Sequence, residues 1–81
     1  MFHRIQTATP LDDMQLLVTF QEGHKRLYDV KPLLSKWPAF KLLENPALFK
    51  MARVDAGGFG VVWNEELDLA CDELWNEGMP V

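Results

Sequence analysis

Between Met14 and Phe20 the chain alternates: Met14, Leu16, Val18 and Phe20 fall on one side, Gln15 and Thr19 on the other. That period of two belongs to a strand with one buried face, because helical apolar positions recur every three or four residues instead. Gly23, in the run from Gln21 to His24, supplies the permissive backbone of a tight hairpin. Lys25 to Val30 then reads as the returning strand, with Arg26, Tyr28 and Val30 on one side. His3 to Thr9 alternates more weakly and ends at a turn from Pro10 to Asp13. The first third is therefore predicted to be a three-stranded antiparallel meander.

Helical signals follow. Asp29 precedes Val30 to Lys36, where a carboxylate can accept backbone N–H groups and Pro32 is tolerated in a first turn. Pro38 disfavours helical geometry at Trp37, so this helix is short. Phe40 to Glu44 is a second short turn, stopped at Asn45 and Pro46, and Ala47 to Phe49 leads into a strand over 51–55. Ala56, Gly57 and Gly58 form a hairpin, and Phe59 to Trp63 returns with Phe59, Val61 and Trp63 on one face. Asn64 to Asp68 reads as a turn, with Asp29 and Asp68 in corresponding strand-exit positions. A closing helix over 69–77 would turn Cys71, Leu74 and Trp75 inward, capped by Asp68 or Asp72 and ended by Gly78 and Pro80. The expectation is one α+β domain over residues 1–81, with about five mainly antiparallel strands (meander plus hairpin) and two or three short helices on one face.

Composition narrows the functional classes. The longest apolar runs, such as Leu16 to Val18, are three residues. A membrane-spanning helix needs about 20, and the N-terminus lacks a signal peptide's apolar region. Cys71 is the one cysteine, which excludes an internal disulfide and any multi-cysteine metal site. A reducing cytoplasm is the expected setting. Charge is unevenly spread. Residues 1–53 carry eight basic and five acidic side chains, and residues 54–81 carry seven acidic and no basic ones. An acidic surface near the C-terminal end suits a basic partner.

With these residues laid out, the chain resembles the small bacterial family catalogued as domain of unknown function 2442. The likeness rests on the Gly-x-x-x-x-Tyr-Asp-Val-x-Pro-Leu-Leu run from Gly23 to Leu34, on Phe40, Leu43, Pro46 and Phe49, and on the close from Val61 to Trp75. The resemblance implies a compact α+β domain, followed in some members by a helix-turn-helix region. The sequence ends at Val81 with no such region, so direct DNA reading is not expected. Members often stand beside another small uncharacterised protein, which implies a toxin–antitoxin-like pair. The resemblance supplies no catalytic residues.

Individual residues favour structural roles. Asp29 and Asp68 could be paired acid–base carboxylates, but turn formation explains each. His3 and His24 lack the close co-ligands of a zinc site. Acids flank Cys71, which weakens it as a nucleophile. The glycines from Gly57 to Gly60 lack the lysine and Ser/Thr of a phosphate-binding loop. No catalytic site, metal or cofactor is expected, and an enzyme is the least favoured reading.

Trp37, Phe40, Phe49, Trp63 and Trp75 are many aromatics for so short a chain, and Trp37 or Phe2 could lie at an interface. The favoured function is a non-enzymatic protein-interaction module, in antitoxin-like form the partner of a small basic protein. It would bind through Glu65, Glu66, Asp68, Asp72 and Glu73, with Trp37 or Trp75 as apolar anchor. The alternative is a nucleic-acid-associated transcriptional regulator or accessory domain using Lys25, Arg26, Lys31 and Lys36. At a pI near 4.9, nucleic acid is expected only through a complex. A homodimer is a further option.

Overall fold

The alternation that opens the chain becomes the centre of a sheet. The computed structural model describes residues 3–81, so Phe2 lies outside the described residues. Strand β1 spans Ile5–Leu11, β2 Gln15–Phe20 and β3 Lys25–Asp29, paired antiparallel in that order. Leu16, Val18 and Phe20 of β2 are fully buried, and Tyr28 lies opposite Leu16 on the same face. β1 runs through Pro10, which an edge strand tolerates because its missing N–H can face away from the sheet. The β1–β2 turn falls later than expected, at Asp12–Met14, with Asp13 and Met14 in left-handed backbone (φ 62° and 56°).

The middle segment is short helical pieces. Helix α1 spans Leu33–Lys36, a 3-10 turn spans Pro38–Glu44, and α2 spans Pro46–Phe49. Three residues per turn place Phe40 and Leu43 on one side of the 3-10 turn, and both are buried. Asp29 does not cap α1. Its Oδ1 accepts the Lys31 N–H at 3.0 Å, a turn closed before the helix begins. Asn45 caps α2, accepting the Ala47 N–H at 3.0 Å, so this stretch is a helix where the sequence suggested a lead-in to a strand.

The last third differs most from expectation. β4 is only Arg53–Val54, β5 is Gly60–Asn64, and β6, Leu67–Ala70, occupies what reads in sequence as turn and helix start. Asn64 makes the connecting turn, its Oδ1 accepting the N–H groups of Glu66 (2.8 Å) and Leu67 (3.0 Å). Asp68 therefore sits mid-strand and exposed, between buried Leu67 and Leu69, rather than at a strand exit or a helix cap. Helix α3 spans Cys71–Glu77 behind Ala70 and has no side-chain cap. Phe59 precedes β5 and is exposed under the Arg4 guanidinium, while Val61 and Trp63 are buried as expected. A two-residue strand β7, Met79–Pro80, returns to pair with β3.

The fold is α+β with antiparallel pairing throughout. Among the described residues its seven strands form two sheets, β1-β2-β3-β7 and β4-β5-β6, rather than one sheet of about five. Both sheets, α3 and the helical segment share one apolar core, with Trp63 near its centre between Phe40 and Phe49. Among the described residues, no polar or charged side chain is buried.

Candidate functional site

Pro38 holds Trp37 in extended backbone (φ −130°, ψ 109°) between α1 and the 3-10 turn. The Trp37 N–H still donates to Leu33 O at 3.0 Å, but its indole projects outward, 52% exposed and 6.1 Å from the Phe40 ring. Across from it runs β6, whose alternation turns Leu67 and Leu69 inward and leaves Asp68 and Ala70 exposed. Between them lies an open cleft of about 380 Å³. Trp37, Ala39 and Phe40 line one part, Leu69 and Ala70 another, and Glu66, Asp68 and Glu73 supply its charge. No cation is in the lining.

The three carboxylates differ. Glu66 in the β5–β6 turn and Asp68 on β6 are exposed to solvent. Glu73, in the first turn of α3, is half-buried and accepts the Tyr28 phenol at 2.8 Å. Burial, then this hydrogen bond and the charges of Glu73, Glu77 and Asp29, push the Tyr28 pKa well above its usual range. Glu73 is thus fixed by its own hydrogen bond, while Glu66 and Asp68 point to water.

Four of the seven residues expected to meet a partner, Trp37, Glu66, Asp68 and Glu73, surround this one cleft. Glu65 is exposed in the adjoining turn, and Asp72 is exposed on α3, with the Cys71 thiol 3.9 Å from its Oδ1. Trp75 lies elsewhere. It is half-buried, stacked on the His3 ring at 3.6 Å, with the Arg26 guanidinium 3.9 Å from its centroid and the Phe20 and His24 rings at its edges. Nothing in the local sequence marks Ala39 and Phe40 as cleft residues, and Leu69 and Ala70 are hidden because Leu67 to Ala70 reads as turn and helix, although Leu67 and Leu69 carry the strand alternation.

The four basic residues are divided. Lys25 and Lys31 flank opposite ends of β3. Lys31 Nζ lies 3.0 Å from both Asp13 and Asp29, and those hydrogen bonds, Asp29 first, hold its pKa above the usual lysine value. Arg26 covers Trp75 and donates to Trp75 O, and Lys36 is exposed at the end of α1. Burial first, and then Asp72, push the Cys71 thiol pKa upward. His3 pairs with Glu22 at 3.3 Å. No group of three or more His, Cys, Asp or Glu side chains is placed to hold a metal ion among the described residues, and no helix is long and apolar enough to cross a membrane.

A second, smaller cleft of about 260 Å³ lies beside the left-handed Asp13 and Met14. Leu43, Phe49 and Lys50 form its opposite side.

Two small antiparallel sheets around one core, with a charged cleft beside an edge strand, define an α+β domain. The chain belongs to the family described as protein of unknown function (DUF2442), whose profile matches residues 5–80. No curated protein and no solved structure shows a significant match to it.

Proposed function

We propose that the chain is a non-enzymatic protein-interaction module that receives a basic partner protein at the Trp37 cleft. One observation carries this reading: the cleft combines an exposed tryptophan with three carboxylates and no cation. An apolar anchor ringed by one sign of charge is the usual make-up of a steered binding surface, the aromatic supplying affinity and the charge supplying rate and selectivity. The antitoxin-like role that the family resemblance implies is one form of this activity, with a small basic toxin as the partner. The lone buried thiol of Cys71 supports a reducing, cytoplasmic setting.

The test is retention on the immobilised chain, comparing wild type with Trp37→Ala and Asp68→Lys. Both positions are exposed, so both variants should fold. A basic protein held by wild type, resistant to nuclease, released by salt and lost from both variants is the expected result. Retention that nuclease abolishes would favour a nucleic-acid complex, and retention that the variants leave intact would place the partner elsewhere. Either overturns the reading.

A further inference from the structure

We propose that the segment occupying the Trp37 cleft is an extended strand of the partner, alternating basic and apolar residues, that adds to β6 as a fourth strand of the small sheet. The inference rests on the reading of the cleft as the docking surface of a basic partner, and names how that partner is held.

The edges of the two sheets carry the argument. An edge strand presents unpaired N–H and C=O groups, and proteins blunt such edges with proline, cationic side chains or very short strands. Among the described residues the sheets have four edges. β1 contains Pro10, β7 is two residues ending in Pro80, and β4 is two residues beginning with Arg53. β6, Leu67–Ala70, is four residues long and has neither proline nor a cation. Its one exposed charge is Asp68, which repels an acidic or like-charged strand and accepts a basic one.

The alternation of β6 dictates the pattern of an added strand, since residues directly opposite across a ladder share a face. Leu67 and Leu69 face the core, so the residues opposite them are apolar and run toward Phe40 and the exposed indole of Trp37. Asp68 faces away from the core, so the residue opposite it carries a positive charge, and Glu66 and Glu73 add negative charge to the cleft lining. At about 3.3 Å per residue, four residues of β6 pair with four or five of the partner. The same charge disfavours a second copy of this chain as the occupant. Antiparallel β6–β6 pairing would bring two Asp68 side chains to one small patch with no cation in the cleft lining.

The probe is a capped hexapeptide, Lys-Val-Lys-Val-Lys-Val, titrated into the full chain with binding read from amide NMR shifts and hydrogen exchange. A matched peptide carries N-methyl groups at alternate residues, in both registers, which keeps the charge and the side chains but removes the edge-facing donors. Strand addition predicts exchange protection at the β6 amides. It also predicts roughly tenfold weaker binding or worse for the methylated peptide in one register only, and a similar loss for Asp68→Lys. Equal, salt-sensitive binding of all the peptides that Asp68→Lys still weakens would overturn strand addition and leave the acidic docking surface standing. Binding that Asp68→Lys leaves unchanged would overturn both. Protection of β6 without peptide, together with a dimer in sedimentation, would make a second copy the occupant and refute the proposal.

Discussion

The Tyr28 phenol donates to the Glu73 carboxylate at 2.8 Å and so ties β3 of the large sheet to α3, which follows directly from β6 of the small one. The bond fixes one of the three carboxylates that line the cleft, while Glu66 and Asp68 are exposed to solvent.

Burial of Tyr28, with this bond second, makes stability depend on pH in the alkaline range. The folded chain holds Tyr28 protonated far above its ordinary pKa of 10.0, through burial first and the Glu73 hydrogen bond second. Below pH 10 the phenol is neutral in both folded and unfolded chains, and its stabilisation is complete. Above pH 10 the unfolded chain ionises while the folded chain does not, so stability falls as pH rises. Tyr28→Phe should cost about 1 kcal/mol at pH 7 and lose this component of the decline in urea melts between pH 9 and about 11. A wild-type curve no steeper than that of Tyr28→Phe would contradict it.

Gly58 and Gly23 separate two costs of a side chain at positive φ. At Gly58 (φ 75°) a Cβ would lie 2.8 Å from the carbonyl oxygen of Ile5, whose own N–H donates to Gly58 O at 2.7 Å. At Gly23 (φ 96°) a Cβ meets nothing within 4 Å. Gly23→Ala should therefore lose only the backbone term, about 1 kcal/mol. Gly58→Ala adds a clash with backbone that cannot swing aside and should lose about 3 kcal/mol, read as the difference between the two melting curves. Equal losses would show that the Ile5 segment yields freely.

Trp63 is 1% exposed, and its indole N–H donates to Phe49 O at 3.0 Å. Trp63→Phe keeps most of the apolar volume but removes the indole donor, leaving Phe49 O with the Ala52 N–H at 3.2 Å, and should cost about 1 kcal/mol. Trp63→Ala also opens a cavity and should cost about 3–5 kcal/mol. Chemical denaturation that ranks the two variants the other way would refute this account of the core.

The parts of the fold that could be read in the sequence are those governed by local pattern. Leu16, Val18 and Phe20 announce β2 because a half-buried strand must alternate, and Gly23 marks the hairpin because few other residues accept its backbone. β6 was hidden because Asp68 and the two glutamates before it look like turn residues, and four positions carry little periodicity. The division into two sheets was invisible for a different reason. Alternation records that a face is buried, not which strand lies beside it, and the Leu27–Met79 pairing joins distant parts of the chain. The cleft was half legible. Its acids show in the charge imbalance of residues 54–81, and Pro38 hints that Trp37 stands outside a helix. That Trp37 is open while Trp63 is sealed and Trp75 is stacked depends on contacts between segments remote in sequence.

The return of β7 to β3 has a mechanical meaning. Arg26 faces Pro80 and Leu27 faces Met79, so the last strand of the chain closes a sheet begun by the first. Ile5 is in turn bonded to the hairpin of the small sheet through Gly58. Separating the two sheets therefore requires breaking the Ile5–Gly58 hydrogen bond as well as opening the core they share. The elements that frame the cleft, Trp37 before the 3-10 turn and β6 far along the chain, are held together through that shared core and not by nearness in sequence.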